Sequence, residues 1–213
     1  MSTLNTVKFA TKKANLFLRV AMGHFATGNS HSNYYIDVVS QKSRMSEAKA
    51  VAEELCSYYY ADTVVDTILC IDGTEVIGAC LADALSREDF VNMNAHKSIY
   101  VVTPEIIGGN QMIFRDNLIP MIKGKNVMIL AVSVSSGKTA ANAVQAVQYY
   151  GGKVSGISAI FSTAEECAGL PVRSVFNPND LEGYQCYPSH ECPMCKAGTK
   201  IDALINSHGF SKL

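Results

Sequence analysis

One stretch limits the folds open to this chain more than any other: Asn126-Val127-Met128-Ile129-Leu130-Ala131-Val132-Ser133-Val134-Ser135-Ser136-Gly137-Lys138-Thr139. It opens as an aliphatic, partly β-branched run of strand length. It closes in small polar residues around one glycine. Residues 140–150 follow with apolar side chains at 140, 143, 144, 147 and 150, a helical spacing, and Gly151-Gly152 then stops the helix. The stretch therefore reads strand, tight loop, helix. A helix start offers backbone N–H groups and a partial positive charge. Gly137 allows close backbone approach, Ser135, Ser136 and Thr139 add hydroxyls, and Lys138 adds an ammonium. These are the parts of a phosphate cradle. The plainer reading is a βα turn with a Ser or Thr helix cap.

The same alternation runs through the chain. Strands are expected at 34–38, 68–71, 98–102 and 153–161, and helices at 5–22, 47–60 and 75–85, with a loop at 23–33 and a short helix near 201–206. Strands alternating with helices imply an α/β fold with a parallel sheet flanked by helices. Ligands of such sheets sit beyond the carboxyl ends of the strands, where the turns at 72–75 and 133–139 would lie. Residues 103–125 show no period and are long enough to serve as a lid. The 213 residues fit a single domain, with a core over roughly 45–175, an N-terminal hood over 1–44 and a Cys-containing tail over 177–213.

Eighteen basic residues against nineteen acidic ones leave a net charge of −1, so neither nucleic acid nor an anionic membrane is an expected partner. No apolar run reaches transmembrane length, and the scattered lysines near the N-terminus do not read as a signal peptide. Seven cysteines, an odd number partly set in apolar stretches, suit reduced thiols and a cytoplasmic location.

Four segments, spread over about residues 20–200, resemble the type I phosphoribosyltransferases, most closely the orotate phosphoribosyltransferase group. Gly23-His24-Phe25 with Ser32-Asn33-Tyr34-Tyr35-Ile36-Asp37 is similar to the group's N-terminal loop and strand. Ile71-Asp72-Gly73-Thr74-Glu75 lies where the family carries its pyrophosphate loop. Residues 127–139 are similar to the phosphoribosyl-pyrophosphate (PRPP) motif. His190-Glu191-Cys192-Pro193-Met194-Cys195-Lys196-Ala197-Gly198 resembles the tail of several orotate enzymes. The resemblance implies transfer of phosphoribosyl from PRPP to a nucleobase, orotate, in pyrimidine nucleotide synthesis. It also implies Mg2+ as cofactor, a homodimer, and a phosphorylated small-molecule ligand: a nucleotide, PRPP or ribose phosphate. Ser135 to Thr139 would hold the phosphate, Asp72, Gly73, Thr74 and Glu75 the pyrophosphate, and Tyr34 and Tyr35 the base.

The departures fall on the reactive positions. The motif's two acids, which in the family hold the ribose hydroxyls, are Ala131 and Val132 here, and neither accepts a side-chain hydrogen bond. The motif's second glycine is Lys138. Thr103-Pro104-Glu105 stands where the group has Arg-Lys-Glu, and residues 106–114 hold no Lys or His. A departing pyrophosphate needs cations and N–H groups aimed at it. The expectation is thus a protein of this family with its transfer chemistry in question, or a non-catalytic nucleotide or phosphosugar binder on the same fold.

Other readings compete at single positions. Lys138 is a phosphate ligand or a solvated first-turn lysine. Asp72 and Glu75 orient a ligand or metal, or are a turn Asp and a Glu complementing the helix dipole. Tyr34 and Tyr35 stack on a base, or one of them belongs to the core. Ser-Gly-Lys-Thr also suggests a nucleoside-triphosphatase loop, but the first glycine of that motif would be Val132. Cys186, His190, Cys192 and Cys195 are zinc-ligand types around a Cys-x-x-Cys knuckle, and are either a structural zinc set or free thiols.

Overall fold

A computed structural model describes residues 4–10 and 16–213. In chain order the strands and helices are β1 (Val7–Ala10), β2 (Phe17–Ala26), β3 (Ser30–Asp37), α1 (Val39–Ser43), α2 (Met45–Cys56), β4 (Thr67–Cys70), α3 (Glu75–Leu85), β5 (Tyr100–Val102), β6 (Glu105–Ile107) and β7 (Gln111–Ile113). There follow β8 (Asn126–Val134), α4 (Lys138–Tyr149), β9 (Lys153–Ser162), β10 (Glu166–Cys167), β11 (Leu170–Phe176), β12 (Cys186–Pro188), α5 (Pro193–Lys196), β13 (Ala203–Asn206) and β14 (Gly209–Lys212). They form two compact units, one of residues 41–177 and one of residues 1–40 with 178–213.

The 41–177 unit carries a sheet in the order β10-β11-β9-β8-β4-β5, parallel from β11 to β5. β8 lies between β4 and β9 and is buried over Val127–Val132, which is why it reads as a continuous apolar run and not as an alternation. Val127, Ile129 and Ala131 share one core cluster with Ala140, Ala143, Val144 and Val147 of α4. Met128 and Leu130, on the opposite face by the pleat, are equally buried. The Asp66 carboxylate fastens the start of β8, accepting hydrogen bonds from Asn126 N (2.9 Å) and Nδ2 (2.7 Å). Burial works against its charge, but Asn126 and Lys97 hold it below the usual carboxylate range. α4 ends at Gly151, at φ +80°, a backbone that glycine tolerates best. Beside it a Cβ on Gly152 would come within 2.8 Å of the Ile122 carbonyl oxygen.

The other unit is a sheet of order β12-β3-β2-β13-β14, with β1 on β2. Three expectations are corrected here. Residues 5–22 are not a helix where described: 7–10 and 17–26 are strands, and 11–15 lie outside the described residues. Leu18 and Val20 point inward while Phe17 is 41% exposed, so the spacing that suggested a helix face mixed two faces of a strand. The loop expected at 23–33 is the end of β2, a turn held by Thr27 Oγ1 on Ser30 N (2.9 Å), and the start of β3. The helix expected near 201–206 is β13, which turns into β14 with His208 N donating to Asn206 Oδ1 at 2.8 Å. Among the described residues no helix is long and apolar enough to cross a membrane.

Candidate functional site

The turns after β4 and β8 sit side by side because their strands are neighbours. Ile71 N donates to Leu130 O at 2.9 Å. Thr74 Oγ1 lies 3.0 Å from both the Ile71 and Leu130 carbonyl oxygens and shares its proton between them. That fixes the first turn against the second strand. Thr74 is fully buried, so its hydroxyl serves the sheet and is not offered to a ligand.

The β4 turn bends through Asp72 and Gly73, both at positive φ (62° and 77°). Lys42 Nζ donates to the Asp72 carbonyl at 2.8 Å. Burial draws the Lys42 ammonium below its ordinary range, while Asp72 and Glu75 act in the opposite direction. This turn therefore has one ammonium among two carboxylates. Lys42 escaped sequence reasoning because it lies thirty residues before its partner, with no motif marking it.

The β8 turn differs. α4 starts from Gly137 at φ 72°, with no side-chain cap. Ser135 and Ser136 are exposed, and neither hydroxyl makes a cap hydrogen bond to the start of α4, whose N-cap is Gly137. Ala141 N makes the first helical bond to Gly137 O at 2.8 Å, so the N–H groups before it head the helix. Lys138 is exposed on the first turn and Thr139 half-buried beside it. Cys167 Sγ packs beneath, donating to Gly137 O at 3.4 Å, and burial pushes its thiol up. Ala131 and Val132, where the PRPP motif has acids, are 1% and 4% exposed.

The aperiodic segment after β5 is the β6–β7 hairpin, laid on α4 through Asn142 Nδ2 to Asn110 O at 3.3 Å. It leaves a cleft of about 580 Å3 lined by residues including Gln111, Ile113, Asn142 and Tyr149. Arg115, a cation just past the segment found to lack Lys and His, grips Glu105 with two hydrogen bonds of 2.6 and 2.8 Å. The pair is exposed on both sides.

Tyr34 and Tyr35 do not offer stacking platforms, which corrects the base-site reading. Tyr34 is 5% exposed, stacks on Tyr184, and donates to Glu182 O at 2.9 Å. Tyr35 is 4% exposed, packs on Phe25 and Phe210, and its hydroxyl is pushed up to about 12 by burial and by Asp37.

The cysteine tail is also rearranged. Cys192 and Cys195 converge with His24 and His31, the four ligand atoms lying within 4.8 Å of one another. Cys186 and His190 are not in this group: Cys186 is on β12 beside Tyr184, and His190 faces Glu191 at 3.2 Å with its side chain 80% exposed. The two histidines lie on opposite strands of the β2–β3 hairpin. A Cys-x-x-Cys lacking its second pair was the signal that could have prompted a search for them.

No family model matches the chain. The orotate phosphoribosyltransferase of Sulfurimonas denitrificans is 27% identical over 196 residues, 84% of this chain and 88% of that protein. That of Wolinella succinogenes is 27% identical over 218 residues, 94% of this chain and 96% of that protein. Among solved structures, Mycobacterium tuberculosis H37Rv orotate phosphoribosyltransferase with Fe(III) dicitrate superposes at a TM-score of 0.53, with 20% identity over 78% of this chain and 93% of that one. The same enzyme with PRPP gives 0.50, with 19% identity over 69% and 82%. These likenesses show the fold: the sheet flanked by helices is that of the type I phosphoribosyltransferases.

Proposed function

We propose that this chain, a type I phosphoribosyltransferase-like protein similar to orotate phosphoribosyltransferases, binds a ligand ending in ribose 5-phosphate at Ser135, Ser136, Gly137, Lys138 and Thr139, and transfers phosphoribosyl poorly. The observation that carries this is the contrast along β8. Its final turn keeps the helix start, hydroxyls and ammonium suited to a phosphate dianion. Four residues earlier, buried Ala131 and Val132 replace the acids. The ribose hydroxyls then lose their acceptors, so the sugar is held by its phosphate end.

The Asp72–Glu75 turn supports the same reading. Two carboxylates around Lys42 leave it without surplus positive charge for a pyrophosphate. Nor do these residues build a site for Mg2+, which the family resemblance suggests. That ion wants carboxylates together with ligand phosphates in near-octahedral order. Here positions 131 and 132 supply none, and Asp72 and Glu75 share the field of an ammonium.

Lys138→Ala is expected to weaken binding of ribose 5-phosphate or a nucleoside monophosphate by about 1–3 kcal/mol, the cost of a charge-assisted hydrogen bond. Calorimetric titration of both proteins measures it, and equal affinities would remove Lys138 from the site. A second reading, active transfer from PRPP to orotate, is favoured by the extent of the likeness to the orotate enzymes, and a direct transfer assay distinguishes it.

A further inference from the structure

We propose that His24, His31, Cys192 and Cys195 bind one zinc ion as a closed structural site. The distances carry the argument. His24 Nε2 is 3.0 Å from His31 Nδ1, 3.5 Å from Cys192 Sγ and 3.6 Å from Cys195 Sγ, and Cys195 Sγ is 3.2 Å from His31 Nδ1. A tetrahedron with metal–nitrogen bonds of about 2.0 Å and metal–sulfur bonds of about 2.3 Å has nitrogen–sulfur edges of about 3.6 Å and a nitrogen–nitrogen edge of about 3.3 Å. Four of the six edges thus lie within about 0.4 Å of those of such a tetrahedron, and the other two are no longer than 4.8 Å. Two imidazoles and two thiolates are also the donor set that favours zinc in that geometry.

The surroundings orient the ligands. β2 and β3 slip register between Met22 and Phe25, so Gly23 and His24 oppose a single residue of β3, and such a bulge re-aims side chains. Asp202 holds the bulge: its Oδ2 accepts from His24 N at 2.8 Å, and a Cβ on Gly23 would come within 2.6 Å of that oxygen. His24 Nδ1 lies 2.9 Å from Thr199 O, where it must carry the proton, so Nε2 turns its lone pair to the other three atoms. Three of the four residues are buried and Cys195 is exposed. An apolar environment leaves converging lone pairs costly unless a cation or protons fill the centre. The ion would tie the β2–β3 hairpin to α5, some 164–171 residues later in the chain.

The test uses the untagged full chain, stripped of metal and titrated with Co2+ and then Zn2+. The expected result is a tetrahedral d–d spectrum with thiolate charge-transfer absorption, saturating at one Co2+ per chain and displaced by Zn2+. Cys195→Ser, at the exposed ligand, should bind at least tenfold more weakly, and His24→Ala should lose the spectrum. Cys186→Ser and His190→Ala should bind like the wild type. A folded wild-type chain that gives no cobalt spectrum would overturn the proposal, whatever the variants do. So would a Cys195→Ser that binds like the wild type, or binding that depends on Cys186 or His190.

Discussion

Transfer of phosphoribosyl from PRPP to orotate by the unmodified protein should run on the order of 10⁴-fold slower than in an orotate phosphoribosyltransferase assayed alongside it. A preorganised polar group aimed at developing charge is worth about 10²–10³ in rate. Two such groups are absent at Ala131 and Val132, and the cations of the segment 103–114 are absent as well. The cation at the β4 turn is held on the Asp72 carbonyl. Radiolabel assays over hours at high protein concentration can reach so low a rate. A rate within tenfold of the comparison enzyme would mean that other groups stabilise the transition state.

Restoring the acids should not restore the reaction. Ala131→Asp with Val132→Asp is expected to leave transfer near its starting rate and to lower stability by about 2 kcal/mol or more, the cost of burying polar groups without partners. Ala131 shares a core cluster with Ala140 and Val144, so a carboxylate there must displace apolar packing, and residues 103–114 would still supply no cation for the pyrophosphate. For a chain of this length the loss corresponds to a fall in Tm of about 4–8 °C. Thermal melting together with the transfer assay checks both parts. A double variant that melts like the wild type and gains a hundredfold in transfer would show that the acids alone had been lost.

The 41–177 unit was legible in the sequence because its signals are local. β8 and α4 carry the continuous run and the helical spacing of a buried parallel strand and its crossover helix, and α3 occupies the expected residues 75–85. Of the N-terminal strands, β3 was legible over 34–37, but β2 was not, because Val20 and Ala21 are both buried and the two-residue alternation already fails before the bulge at Gly23 and His24. The site divided in the same way. The strand, turn and helix start at the end of β8 could be read from their own residues. Lys42 and the His24–His31 pair meet partners 30 and 164–171 residues away, and no spacing rule on one chain reaches that far. Tyr34 and Tyr35 misled because an aromatic pair in a strand looks the same whether it faces a ligand or the core, and here both are buried.

The central claim is that the site grips a terminal phosphate and gains nothing from pyrophosphate. Its most direct test is calorimetric titration of the wild-type chain with ribose 5-phosphate, a pyrimidine nucleoside monophosphate and PRPP in one buffer. A monophosphate should bind at least as tightly as PRPP, and Lys138→Ala should weaken all three. PRPP binding tenfold or more tighter than either monophosphate, and unchanged by Lys138→Ala, would contradict it.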